Sequence, residues 1–152
     1  MSLGLRRLAA VLVVLVLSAC GSNRDELDQQ FVDAAKRGDL SEAKRLLEAG
    51  ARIDARDAKR DSPAVLWAAH EGHTELLIML LDAGGSVEAA KGKGDTALWY
   101  AAQQGHIDAA GVLLERGANP NPRGPDGSSA VGIAEQKGYG EIAALLRQHG
   151  GQ

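Results

Sequence analysis

The chain has 152 residues, of which 45% are hydrophobic but only 3% are aromatic, so it can form one domain with a core of small aliphatic side chains. The net charge of −3 argues against nucleic acid as a partner, and a single cysteine excludes an internal disulfide. Helix-favouring Ala, Leu, Glu, Lys and Arg are abundant, whereas strand-favouring residues are scarce after the first twenty positions. We therefore expect an all-α domain.

The first segment of the chain has the order of an export signal. Arg6 and Arg7 precede an unbroken apolar run, Leu8–Leu17, which is followed by the small residues Ser18 and Ala19. An apolar run of ten residues is too short to cross the ~30 Å hydrocarbon core of a bilayer as a helix. We therefore expect residues 1–19 to be a cleaved signal peptide and not a permanent anchor.

The end of this segment, Leu17-Ser18-Ala19-Cys20, resembles the bacterial lipobox. The resemblance implies that the Cys20 thiol is lipidated, that the signal is removed before it, and that the new N-terminus receives a further acyl chain such as palmitate. More than one chain is needed for stable anchoring, because each buried methylene contributes only ~0.8 kcal/mol. Gly21 replaces the Asp that signals inner-membrane retention in enteric bacteria, so the resemblance favours the periplasmic face of the outer membrane. An ordinary secretory signal is the alternative.

Cleavage of the signal would leave a tethered, mildly acidic domain. Residues 20–25 are interpreted as the lipidated cysteine and a short tether, and residues 26–152 as the folded domain. Without residues 1–19, 15 basic and 20 acidic side chains remain, which gives a net charge of −5.

The rest of the chain is repetitive. Gly38, Gly72, Gly105 and Gly138 are spaced 34, 33 and 33 residues apart, and another glycine follows each of them after twelve residues. Four residues before each of these glycines there is an alanine, and eight residues after it a leucine: Ala34, Ala68, Ala101 and Ala134, and Leu46, Leu80, Leu113 and Leu146. This register predicts two short antiparallel helices per unit, each ending at a glycine, with the leucines buried between units. The units are expected at about 26–57, 58–90, 91–123 and 124–152.

The third unit carries the most detailed motif. Its segment Gly94-Asp95-Thr96-Ala97-Leu98-Trp99-Tyr100-Ala101-Ala102-Gln103-Gln104-Gly105-His106 resembles the ankyrin pattern G-x-T-P-L-H-x-A-A-x-x-G-H. Val112–Asn121 continues the pattern in register, and the resemblance covers roughly 26–150. It implies an ankyrin-repeat solenoid of four helix-turn-helix units joined by hairpin loops.

The repeats depart from the ankyrin pattern at several positions. Leu66, Trp99 and Gly132 replace the histidine of the Thr-Pro-Leu-His motif, so we expect the hydrogen bonds of its Thr and His to be weakened. Polar residues in the end units, such as Lys44 and Arg147, replace apolar ones, which is typical of capping repeats. We therefore expect four repeats to be the whole stack.

The candidate catalytic residues do not form a known arrangement. The resemblance places His73 and His106 at the family's structural Gly-His step, and His149 lies at the C-terminal end. His70-Glu71-Gly72-His73 is not the zinc motif His-Glu-x-x-His, because its histidines are three residues apart with a helix-ending glycine between them. We therefore predict that the chain is not an enzyme and needs no metal or cofactor.

The resemblance also implies that hairpin tips and first helices form a concave, protein-binding surface. Cations stand at or near the successive tips: Arg56, Lys59, Arg60, Lys91, Lys93 and Arg123. Polar residues stand at the adjoining helix ends: His70, Glu71, Gln103, Gln104, Gln136 and Lys137. This set suits a partner with an acidic surface, with ordinary charge on exposed loops as the alternative. Trp67, Trp99 and Tyr100 are interpreted as packing between repeats, with a role in binding as the alternative.

Two functions are compatible with such a surface. A membrane-anchored, monomeric adaptor in the periplasm would hold or protect a partner, as the resemblance to small bacterial ankyrin proteins found beside catalases implies. An immunity protein would instead cover the active site of a toxin delivered into the periplasm. A neighbouring catalase gene would favour the first, and a neighbouring secreted toxin the second.

Overall fold

The computed structural model describes residues 21, 23–92 and 94–152, so the predicted signal peptide and Cys20 lie outside the described residues. The helices form four consecutive pairs. They are α1 (23–37) and α2 (Leu40–Glu48), α3 (Ala64–Glu71) and α4 (Thr74–Asp82), α5 (Ala97–Gln104) and α6 (Ile107–Glu115), and α7 (Ala130–Lys137) and α8 (Gly140–Gln148). These pairs confirm the predicted helix-turn-helix solenoid. Among the described helices, none combines the length and apolar character needed to cross a bilayer.

The glycine register predicts the helix ends correctly. The eight glycines of the register all have a φ between 73° and 105°, in the left-handed region that L side chains rarely adopt. Each first helix ends one residue before its glycine and each second helix two residues before. The four alanines and four leucines of the register are fully buried. The repeated sequence positions therefore form one continuous core.

The core lies between two layers of helices. First helices pack on one another in an inner layer, α3 against α5 and α5 against α7. Second helices form an outer layer, in which α6 contacts both α4 and α8. Each second helix also packs on its own first helix, as α4 does on α3. The resemblance to ankyrin repeats implies that the inner layer and the tips face the concave side and that the outer layer faces the convex side.

The Gly-His step links neighbouring repeats. A Cβ added at Gly38 would lie 2.6 Å from the His73 ring, and one at Gly72 would lie 2.5 Å from the His106 ring. Nε2 of these two histidines lies 3.1 and 3.0 Å from a backbone carbonyl of the preceding repeat. Tyr139 stands in the corresponding place in the fourth repeat, with its ring against Gly105. His73 and His106 therefore have the structural role that was predicted.

Hairpin loops connect the helix pairs. Strands β1 (Ala90–Lys91) and β2 (Asp95–Thr96) pair antiparallel in the second tip, while single bridges, Arg56–Pro63 and Arg123–Ser129, close the first and third tips. Measured between the paired residues, the first tip is one residue longer than the other two. Its Asp61 has a φ of 51°, at the position where the other tips have glycine. The first tip is therefore the irregular one.

The motif's hydrogen bonds are only partly weakened. The hydroxyl of Thr96 accepts from the N–H of Trp99 at 3.3 Å, and that of Ser129 accepts from the N–H of Gly132 at 3.0 Å, so both cap a first helix. Pro63 provides no such side-chain cap to α3. Among the second, third and fourth repeats, only the second thus lacks the side-chain hydrogen bond at the start of its first helix.

Candidate functional site

Two of the predicted binding cations are hydrogen-bonded within the hairpin tips, and one of them also links two tips. Arg56 donates to the carbonyl of Asp61 in its own tip at 2.6 Å and to that of Ala90 in the next tip at 3.2 Å. Arg123 donates to the carbonyl of Gly127 in the third tip at 3.2 Å. Both side chains are exposed, but their guanidinium groups already have partners inside the fold. Their contribution to a binding surface is therefore reduced.

Asp57 organises the first tip. Its side chain is buried, and its Oδ1 accepts from the backbone N–H groups of Lys59 at 2.6 Å and Arg60 at 2.8 Å. Its Oδ2 accepts from Nζ of Lys36, which comes from α1 in the first repeat. Burial raises the pKa of Asp57, but the hydrogen bonds from Lys36 and from the two N–H groups outweigh this effect and bring the pKa down to about 2. One carboxylate thus joins the tip to α1.

We expect Asp57→Asn to lower the free energy of unfolding by about 1–2 kcal/mol near neutral pH. A carboxyl group with a pKa of about 2 in the folded protein, against about 3.9 when unfolded, stabilises the fold above pH 4. This stabilisation is lost as the pH falls towards 2. Urea unfolding across this range should show the two proteins converging in acid. The exposed neighbour Asp54→Asn is the control, and an Asp57 variant as stable as wild type at neutral pH would contradict the assignment.

Trp67, on α3, lies beside two cations from other parts of the chain. The Nζ of Lys36 is 4.7 Å from the centroid of the indole ring, and the Cζ of Arg60 is 5.4 Å from it, both within the range of cation–π attraction. The side chain is buried, and its Nε1 has no hydrogen-bond partner among the described residues. The indole therefore forms the floor of an electropositive corner at the first tip.

His70 connects the second and third repeats. Its ring lies 5.6 Å from Trp67 and 5.4 Å from Tyr100, measured between centroids. Its Nδ1 lies 2.8 Å from a carboxylate oxygen of Glu71, which accepts, so Nδ1 is the donor. Its Nε2 lies 3.1 Å from the amide nitrogen of Gln104, which donates. His70 is thus in direct contact with two other predicted binding residues, Glu71 and Gln104.

The neighbouring aromatic residues pack between repeats. Tyr100 donates from its hydroxyl to Asp95 at 3.4 Å, and burial, together with this carboxylate, raises the pKa of Tyr100. Trp99 packs edge-on against Tyr100 and donates from its indole to the carbonyl of Ser128 in the next repeat at 3.1 Å. A Cβ added at Gly124 would lie 2.2 Å from the Trp99 ring, so only glycine fits there. The aromatic cluster of Trp67, His70, Trp99 and Tyr100 therefore couples the repeats.

The remaining predicted residues that the structure describes do not join this cluster. Gln103 is in the last turn of α5, and Gln136 and Lys137 are exposed in the last turn of α7. Lys91 is half-buried in β1, and Lys93 lies outside the described residues. In the part of the chain that the structure describes, no hydrogen bond or ion pair links these residues to the aromatic cluster. The structure therefore groups Arg60, His70, Glu71 and Gln104, and it does not show a continuous row of cations.

Sequence analysis missed Lys36 and Asp57. Lys36 stands 34 residues before His70, so the repeat register could have placed it on the same face. Asp57 stands directly after the Arg56 bridge, where the corresponding residues of the other tips are Lys91 and Gly124. Its role depends on the path of the first tip, and no repeat position signals it.

The grouped side chains offer polar and aromatic contacts to a partner. In the described ranges 21, 23–92 and 94–152, no group of three or more His, Cys, Asp or Glu side chains is placed to hold a metal ion. The rings of His70, His73 and His106 are engaged with a backbone carbonyl or with neighbouring side chains. The helix pairs and tips define the chain as a repeat module with an exposed inner side.

The comparison with known families agrees with this class. A family model described as ankyrin repeats in three copies matches residues 31–124, which is more than half of the chain. The chain belongs to the ankyrin-repeat family. Ankyrin repeats are protein–protein interaction modules, and their fold is typically non-enzymatic.

One curated protein with a similar segment comes from rice. The probable E3 ubiquitin-protein ligase XBOS32 of Oryza sativa subsp. japonica is 40% identical over 73 residues. The aligned part is 46% of this chain but only 14% of the rice protein, so the chain spans a small fraction of that relative.

Proposed function

We propose that the chain is an exported, lipid-anchored protein-binding module that holds or protects a partner protein. The lipobox-like residues 17–20 support attachment through Cys20, and the tether at 20–25 would leave the ankyrin domain free to bind. Residues 1–19 would act only as the export signal. The module would work as a monomer on the periplasmic side of a bacterial membrane, with the outer membrane favoured over the inner.

The single observation that carries the choice of partner is the exposed charge at the first tip. Lys59 and Arg60 are exposed, and among the described residues their side chains make no hydrogen bond or ion pair. They belong to a domain whose net charge without the signal is −5, so they form a small basic site on an acidic domain. Exposed cations attract an acidic surface within a Debye length of ~10 Å and raise its association rate. A protein with an acidic face, such as a catalase of suitable surface charge, would fit this edge.

Reversing the charge of the tips tests this proposal. We expect the variant with Lys59, Arg60, Lys91 and Lys93 all changed to Glu to keep nearly the thermal melt of wild type. It should bind the partner recovered from membranes more slowly, by ~10-fold at low salt, because steering by charge is lost. Surface plasmon resonance with the purified partner measures the association rate as a function of salt.

The control reverses charges on the outer layer. Lys44→Glu changes an exposed side chain of α2 and should leave association unchanged. Equal association of wild type and the four-site variant at low and moderate salt would show that the tip cations are ordinary solvated charges. The inner-layer residues Tyr100 and Gln104 would then be the surface to test.

The same exposed charge also fits the second candidate function. An immunity protein would use a basic edge to cover an acidic face of a toxin, and export to the periplasm would bring it to the toxin's site of delivery. The two functions differ in the outcome for the partner, because an inhibitor abolishes the partner's activity whereas an adaptor preserves it. An activity assay of the captured protein with and without the chain separates them.

A further inference from the structure

The acids of the first tip are already engaged with other groups, and no ion pair among the described residues includes Lys59 or Arg60. The carboxylate of Asp57 accepts from Lys36 and from two backbone N–H groups, and that of Asp61 lies 3.6 Å from Arg56. Elsewhere in the described residues, cations such as Arg52 and Arg116 have a carboxylate within 2.7 Å. The tip therefore presents the side chains of Lys59 and Arg60 with no carboxylate of its own to neutralise them.

Arg60 is also held in position. Its backbone N–H is fixed by Asp57 at 2.8 Å, and its guanidinium lies 5.4 Å from the centre of the Trp67 ring. The ring itself is 7% exposed and packs edge-on against His70, so it is a rigid support. A guanidinium restrained in this way loses less conformational freedom on binding, and its planar fork matches the two oxygens of a carboxylate.

The surroundings limit the charge of the ligand. Asp33 pairs with Lys36 at 3.4 Å and Glu71 contacts His70 at 2.8 Å, and both carboxylates remain about two-fifths exposed on the same side of the stack. A polyanion such as nucleic acid or polyphosphate would be repelled by these groups and by the acidic domain. A single carboxylate side chain of an extended protein segment would meet the two cations and avoid that repulsion.

We propose that this corner, formed by Lys59, Arg60 and the Trp67 ring, binds a Glu or Asp side chain of an acidic protein segment through a two-pronged contact with Arg60. This inference rests on the proposed protein-binding function and names the part of the partner that it recognises. Lys59 contributes charge, and Arg60 provides the geometry.

The test uses the full chain purified in a mild detergent and a fluorescein-labelled dodecapeptide of Gly and Ser that carries one central Glu. Anisotropy should show binding of this peptide and at least ~10-fold weaker binding of the matched peptide with Gln in place of that Glu. Arg60→Lys keeps the charge but loses the fork, and it should weaken binding ~3-fold to ~10-fold. Lys59→Gln should have a smaller effect that salt removes, and Lys44→Gln, on α2, should have none.

The two tryptophans provide a matched spectroscopic control. In NMR spectra, the peptide should shift the indole N–H signal of Trp67, which has no partner among the described residues, more than that of Trp99, which is bonded to Ser128. Unchanged affinity in Arg60→Lys, equal binding of an oligothymidylate, or shifts confined to Trp99 would overturn the inference.

Failure here is distinguishable from failure of the proposed function. Suppose that a partner binds the inner layer of wild type and of Arg60→Lys with the same affinity. That result would overturn the carboxylate contact and leave the binding function intact. A chain that binds the Glu peptide as described, but for which no partner crosslinks to the inner layer in membranes, would overturn the proposed function and support the corner.

Discussion

Leu80→Ala should lower the free energy of unfolding by about 2–5 kcal/mol. Leu80 is fully buried in α4, in the second of the four repeats, where the outer-layer helices α4 and α6 meet. Truncation removes the transfer free energy of the side chain and leaves a cavity between repeats. Because small domains have only about 5–15 kcal/mol of stability in total, the loss is a large part of the whole. Urea unfolding followed by circular dichroism measures it.

The same helix supplies a matched control. Ile78 is 36% exposed, two residues before Leu80, so Ile78→Ala should cost clearly less than Leu80→Ala. Substitutions at surface positions usually change the free energy of unfolding by less than about 0.5 kcal/mol, and Leu80→Ala could fall in that range. That result would mean that the leucine register does not point into the core.

Cys20→Ser should abolish membrane attachment or block removal of the signal. Cys20 is the single cysteine of the chain, and it is the thiol at the end of the lipobox-like segment. Serine has no thiol, so it cannot form the thioether bond to the lipid. Without acyl chains the domain has no anchor in the bilayer and should leave the membrane. Radiolabelled palmitate, followed by separation of membrane and soluble fractions, measures both effects.

The expected result is complete loss of label together with release or accumulation of the uncleaved chain. Leu80→Ala serves as the comparison, because it changes stability but leaves the lipobox intact and should still incorporate label. Label that enters Cys20→Ser at the wild-type level would show that another group is acylated, and the anchor would have to be placed elsewhere.

The fold could be predicted because its determinants recur at fixed positions. Each glycine of the register ends a helix, and each alanine and leucine occupies the same place in every layer, so the local signals agree with the packing. Trp99 shows the limit of this reasoning. It replaces the motif's histidine, yet its indole reaches Ser128 in the next repeat, a bond that no pattern of residue types indicates.

The candidate site was less predictable because it depends on contacts between distant parts of the chain. The basic residues of the tips were identifiable, but whether a cation is free depends on the loop path. Arg56 bonds two tips, whereas Arg60, four residues later, stacks on Trp67. The pair of Lys36 and Asp57 joins residues 21 positions apart through the longer first tip, which has no equivalent in the other repeats.

The central claim is that the inner layer and the tips bind a protein partner at the membrane. Site-specific photocrosslinking tests it directly, with a photoreactive amino acid placed singly at Lys59 or Gln104 on the inner side, or at Lys44 or Ala144 on the outer layer, all of them exposed. After irradiation of intact membranes, we expect one partner to crosslink to the two inner positions and to neither outer position. Crosslinks from Lys44 and Ala144, with none from Lys59 and Gln104, would contradict the account.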